Sequence, residues 1–147
     1  SVSQLIAGTT LSGVSLTAVY ANKKASDGTA SNVAIDNDDD AEVNAKIWQL
    51  STDGTDLTKG DVMALTAAMP KLNNVTASLT YAAAKDKGVG TAHDTDYTET
   101  LAQLTYKMSK NFTLHARYSM LNKDTNLGTA TSSTDTDYSR VQVKYTF

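Results

Sequence analysis

The sequence has no cysteine and a single proline, Pro70. Without a thiol there is no disulfide framework, no thiolate zinc site, no iron-sulfur cluster and no cysteine nucleophile. Basic charge is not in excess either: 13 Lys and Arg stand against 16 Asp and Glu, for a net charge of -3. That balance excludes a non-specific nucleic-acid binder, which needs a basic footprint. No apolar run comes near the ~20 residues that a membrane helix requires. The mean hydropathy of -0.33 nevertheless leaves a membrane β-barrel open, because lipid-facing and lumen-facing residues alternate along such strands and average out.

What the chain does have is Thr, Ala and Ser: 22, 19 and 13 of its 147 residues, enough for one domain or a piece of one. Thr favours strands and Ala is tolerated in them. The clearest segments alternate with period two, the pattern of a strand whose faces differ chemically. From Phe112 one face reads Phe112, Leu114, Ala116, Tyr118, Met120 and the other Thr113, His115, Arg117, Ser119. Val75, Ala77, Leu79, Tyr81 and Ala83 alternate with Thr76, Ser78 and Thr80, and Val14, Leu16, Ala18 and Tyr20 with Ser15 and Thr17. Ala102, Leu104, Tyr106 and Met108 alternate with Gln103, Thr105 and Lys107, and the last residues set Val141, Val143, Tyr145 and Phe147 against Arg140, Gln142, Lys144 and Thr146. The spacing predicts an all-β chain.

Three of these blocks form a repeat with an apolar first position, a hydroxyl second and a Tyr seventh, beginning at Val14, Val75 and Phe112. Each follows a turn signal, Ser12-Gly13, Asn73-Asn74 or Lys110-Asn111, and each is preceded by another strand-like run. The unit is a hairpin, and the hairpins are separated by longer polar stretches, about 23 to 60, 86 to 96 and 122 to 136. Short turns at one end and long loops at the other are the asymmetry of an outer-membrane barrel. The acidic residues are expected in loops or at strand ends. The bases within strands (Lys107, Arg117, Arg140, Lys144) fall on the polar face, leaving the other without charge. An uncharged face suits lipid, where Lys or Arg at the midplane costs ~2–4 kcal/mol. Tyr20, Tyr81 and Tyr118 would form one aromatic girdle and Phe112, with Tyr145 and Phe147, the other. A soluble β-sandwich binding module is the alternative, but its core would be mostly Ala.

The terminal run Val141-Gln142-Val143-Lys144-Tyr145-Thr146-Phe147 resembles the C-terminal assembly signal of Gram-negative outer-membrane porins. The resemblance implies that Val141, Val143, Tyr145 and Phe147 are read by the barrel-assembly machinery. The segment from Asp61 to Ala84 is similar to hairpins of OprD-like porins and of Campylobacter-type major outer-membrane proteins. It implies a transmembrane antiparallel barrel in the bacterial outer membrane, in contact with lipid and lipopolysaccharide, assembled as a homotrimer, non-enzymatic, and passing small hydrophilic solutes or ions by diffusion.

Parity along the chain gives seven strands if 23 to 60 is one long external loop. Single-chain bacterial barrels have an even strand number, so residues 1–147 are expected to be the C-terminal part of one barrel domain of 16–18 strands. Counting Glu42 to Leu50, with Trp48, as an eighth strand gives instead a small closed barrel with a structural or adhesion role.

If the polar face lines a pore, its chemistry sets selectivity. Counting from the shared turn puts Arg117 beside Arg140 near mid-height, with His115 and Lys144 below and Lys107 on the next strand, a basic stripe on the wall. The candidate acidic partner across the constriction is Asp36, Asp38, Asp39, Asp40 and Glu42 in the long loop. Asp36, Asp38 and Asp40 also match three ligand positions of an EF-hand, but Ala41 and Ile47 stand where Gly and Glu are required. That excludes an EF-hand and leaves a looser Ca²⁺ site as the one cofactor candidate. Catalysis has no motif: of the two histidines, His93 lies in a Gly-containing loop and His115 on the wall, and no nucleophile elbow, zinc helix or phosphate loop occurs.

Overall fold

The computed structural model describes residues 2–23, 60–87 and 94–146. The segments 24–59 and 88–93 and the terminal Phe147 lie outside them, and with them the acidic candidates Asp36 to Glu42, the Glu42 to Leu50 stretch and His93. The described residues form one antiparallel sheet of seven strands in chain order. These are β1 (Val2–Leu11), β2 (Val14–Lys23), β3 (Gly60–Ala68), β4 (Val75–Asp86), β5 (Thr95–Lys107), β6 (Phe112–Asn126) and β7 (Thr131–Tyr145). No described residue is helical.

Turn chemistry pins the register at the lower end. Ser12 and Gly13 have φ of 50° and 84°, and Asn73 and Asn74 of 45° and 68°. Two consecutive positive φ values make the type I′ turn, whose twist matches that of the flanking strands. Around the second turn Leu72 and Val75 exchange both backbone hydrogen bonds, at 2.9 and 2.8 Å. At the third, the Ser109 hydroxyl accepts from the backbone N–H groups of Asn111 and Phe112.

One upper connection departs from expectation. Residues 122–136, expected as a polar loop, are mostly ladder: β6 and β7 stay paired up to Asn126 and Thr131, closed by a Leu127 N–H to Ala130 carbonyl bond of 2.8 Å. Gly128 takes φ 84°, which a two-residue II′ turn needs at its first central position. Thr, Ser, Asn and Asp suit loops and exposed ribbons alike, so composition concealed these strands.

Registry converts the aromatic residues into a measure of tilt. Tyr20 pairs with Met63 and Met63 with Ala83, so Tyr81 lies two residues below the rung of Tyr20. Tyr81 pairs with Thr100 and Thr100 with Met120, so Tyr118 is again two residues lower. Tyr106 and Tyr145 repeat the step at the lower end, through Leu114 and Val143. Two residues along a strand are about 6.8 Å and two strand spacings about 9.6 Å. A plane through the tyrosines therefore cuts the strands at about 35° from their perpendicular, within the ~35–45° tilt of membrane barrels.

The face carrying these rings is bare, with Leu79 54% and Val141 74% exposed. A contiguous apolar surface of this extent marks contact with lipid or protein. It is not free of charge along its whole length, contrary to expectation. Asp61, Lys85, Asp96, Asp124, Asp135 and Asp137 share it, because the strands run further up than the alternation alone showed. By register each lies above the line of Tyr20, Tyr81 and Tyr118. From Met69, next after the end of β3, to Asp61 is eight residues, about 27 Å of extended chain and about 22 Å of height at that tilt, close to the ~25 Å apolar band of an outer-membrane barrel.

The opposite face changes character along its length. Its lower half is Thr, Ser, Gln, His, Arg and Lys; its upper half on β2 to β6 holds the buried cluster Val19, Ala21, Val62, Ala64, Ala82, Ala84, Tyr97 and Leu121. An unbroken polar face, as the alternation suggested, is thus confined to the lower part.

Candidate functional site

The polar part of this face places the basic candidates on three successive rungs. Arg117 and Arg140 are direct cross-strand partners between β6 and β7. Two residues lower His115 opposes Thr105 on β5 and Gln142 on β7, and below that Thr113 lies between Lys107 and Lys144. Measured against the apolar face, the arginine rung sits about midway between Phe112 and the first upper charges, and the lysine rung is level with the lower aromatic residues.

A hydrogen-bonded chain runs beneath these cations. Arg117 Nε donates to Gln103 Oε1 at 2.9 Å, Gln103 Nε2 donates to Thr105 Oγ1 at 3.2 Å, and Thr105 Oγ1 lies 3.1 Å from His115 Nδ1. All four side chains are half-buried. On the neighbouring strands the Thr66 and Thr80 hydroxyls pair at 2.9 Å. The sequence marked the cations but missed Gln103 and Thr105. Only pairing outward from the turn at 109–111 puts Gln103 opposite Arg117.

Above the arginine rung lies an acidic residue that was expected at a strand end. Glu99 is the fifth residue of β5, only 2% exposed, and the Ser119 hydroxyl, wholly buried, donates to its Oε1. A hydrogen bond between buried polar groups contributes about 0.5–1.5 kcal/mol net, because the alternative for each group is costly desolvation. Ser119→Ala is therefore expected to destabilise the folded protein by about 1 kcal/mol. Denaturant unfolding monitored by Tyr fluorescence checks this, and an unchanged midpoint would refute it.

The remaining candidates belong to the other face. Phe112 and Tyr145 stack across β6 and β7 with ring centroids 4.6 Å apart and planes tilted by 46°. Val141 and Val143 continue the apolar row above Tyr145. Tyr20 donates its hydroxyl to Asp61 at 2.6 Å, a bond shared by Asn22 Nδ2 at 2.6 Å, and Lys85 pairs with Asp96 at 3.4 Å one rung-neighbour further on. These polar contacts stand at the upper margin of the apolar band. An open apolar groove of about 510 Å³, between Met69, Leu79, Leu104 and Tyr118, lies below them on the same face. Being apolar and outside the tyrosine line's charged side, it suits hydrocarbon and not a hydrophilic solute. Among the described residues no three His, Asp or Glu side chains converge as a metal site.

Comparison with family models matches residues 3–147 to a family described as the Campylobacter major outer membrane protein. No match was found among curated proteins or among solved structures.

Proposed function

We propose, for a chain that belongs to the Campylobacter major outer membrane protein family and therefore to the bacterial outer membrane, that its basic rungs line a water-filled pore and sort small hydrophilic solutes by charge. Family membership makes it an outer-membrane porin; the wall chemistry supplies the finer reading. The observation that carries it is the register pair Arg117–Arg140, held at mid-height on the side of the sheet opposite the apolar band. In a closed barrel that side faces the lumen, and cations placed there attract anions and retard cations. The edges of β1 and β7 each have one neighbour among the described strands. Unpaired edges are untenable in lipid, so in the membrane each of these edges has to find a partner strand.

Passive diffusion follows from this arrangement without any chemical step. Nothing in the chain's motifs calls for catalysis, and its bases and hydroxyls act here as a field and a hydrogen-bonding surface for hydrated solutes. The protein isolated from outer membranes is expected to produce discrete, ohmic conductance steps in planar bilayers. A heat-modifiable, fully inserted protein that produced no steps would overturn the pore and favour a closed barrel with a structural role.

A further inference from the structure

We propose that Gln103 is a positioning residue for the selectivity of this wall, holding Arg117 at a fixed place beside Arg140; the proposal rests on the lumen reading above. Arg117 stands between two partners on one rung, Gln103 on β5 and Arg140 on β7. Directly opposed residues on one face have Cβ atoms only ~4.5–5.5 Å apart, and like charges so placed repel. The register is held by the backbone ladder, and the repulsion within it is relieved when one of the two guanidiniums is drawn aside. Gln103 does so: its Oε1 takes the Arg117 Nε–H at 2.9 Å, which turns the head toward β5.

The amide is itself oriented. Its oxygen is committed to Arg117 and its nitrogen to Thr105 Oγ1, 3.2 Å away, and that hydroxyl is in turn within 3.1 Å of His115 Nδ1. A flipped amide would set its NH₂ against the guanidinium and its oxygen toward a hydroxyl already engaged with the imidazole. The chain therefore favours one amide orientation and, through it, one Arg117 rotamer. A neutral amide achieves this without cancelling the charge, which an acid at the same position would do.

Reversal potentials of the full-length protein in planar bilayers under a KCl gradient test the assignment. Gln103→Leu, similar in size but without the acceptor, is expected to lower the chloride-to-potassium permeability ratio about twofold, the scale of a unit charge displaced by a few ångströms in a water-like dielectric. Gln103→Glu keeps length and acceptor but pairs with Arg117, and is expected to lower the ratio further, toward that of Arg117→Ser. The decisive arm is the double variant. If Gln103 acts through Arg117, Gln103→Leu has no further effect once Arg117 is Ser, a non-additivity that an independent structural role would not give. A ratio changed by Arg117→Ser but untouched by Gln103→Leu, or equal shifts in both backgrounds, overturns the positioning role and leaves the lumen reading standing. If Arg117→Ser itself leaves the ratio unchanged in an open channel, the lumen reading fails and the positioning role with it.

Discussion

Simultaneous replacement of Arg117 and Arg140 by Ser is expected to reduce the anion-to-cation preference by more than about tenfold while leaving the barrel folded. The magnitude follows from Coulomb's law. A permeating anion about 5 Å from each guanidinium in a water-like dielectric gains about 0.8 kcal/mol from each, reduced to about half by the ~10 Å screening length of 0.1 M salt. Losing both contributions lowers local anion occupancy about fivefold, and raises that of cations correspondingly. Both residues are on strands whose pairing is made by backbone groups, and neither side chain belongs to the buried cluster. Folding, read by heat-modifiable gel migration, is therefore expected to survive. The reversal potential in a KCl gradient should move toward the potassium potential, and the difference from the parent protein should shrink in 1 M salt, where the screening length is ~3 Å. An unchanged reversal potential at low salt would remove the two arginines from the permeation path.

The second large effect belongs to the other side of the same sheet. Leu104 lies on β5 in the row of Ala77, Ala116 and Val141, inside the apolar band between Tyr106 and the line of Tyr81 and Tyr118. Leu104→Arg is expected to destabilise the protein in phospholipid vesicles by about 2 kcal/mol, since the cost of a basic residue on the lipid face falls from about 2–4 kcal/mol at the midplane toward the interfaces. Thr76, on β4, points to the opposite face and pairs with Thr105. Thr76→Arg is expected to change stability by no more than about 0.5 kcal/mol, the range of substitutions on a solvated surface. Denaturant titration of both variants in the same vesicles provides the comparison. Equal destabilisation would mean that the two faces do not see different solvents, and the tyrosine line would then not mark a membrane boundary.

Much of this was legible in the sequence because it is local. Alternation with period two is a property of the strand itself, so the faces of Phe112 to Met120 and of Val75 to Ala83 follow from residue order alone. Turn chemistry is local too: Gly13, Asn73 and Asn74 adopt the positive φ values that their residue types favour, and Ser12 takes one beside its glycine. The resemblance to Campylobacter-type major outer-membrane proteins, read from the hairpin between Asp61 and Ala84, also holds, with the family match extending over residues 3–147. The places where sequence reasoning fell short are those where local preference is ambivalent. Thr, Ser and Asp between 122 and 136 are at home in loops as in a ribbon beyond the membrane, and Glu99 looked like a strand-end acid because β5 begins earlier than its alternation does.

The candidate site divides along the same boundary. Its cations could be assigned to one face from parity, and the pairing of Arg117 with Arg140 could be counted from the turn end. The neighbours that orient them, Gln103 and Thr105 across the 109–111 turn on β5, carry no charge that would single them out by residue type.

By itself, then, the sequence determined that this is a β protein with one face for hydrocarbon, short turns at one end, and a row of bases on the other face, because each of these depends on residues adjacent in the chain. Only the tertiary structure decided which side chains share a rung: Gln103 with Arg117, the Ser119 hydroxyl with Glu99, and the tyrosines along a line inclined by about 35°. Those relations depend on the register between strands, where a slip of one residue turns every side chain to the opposite face, and register is fixed by the pairing of the whole sheet and not by any one strand.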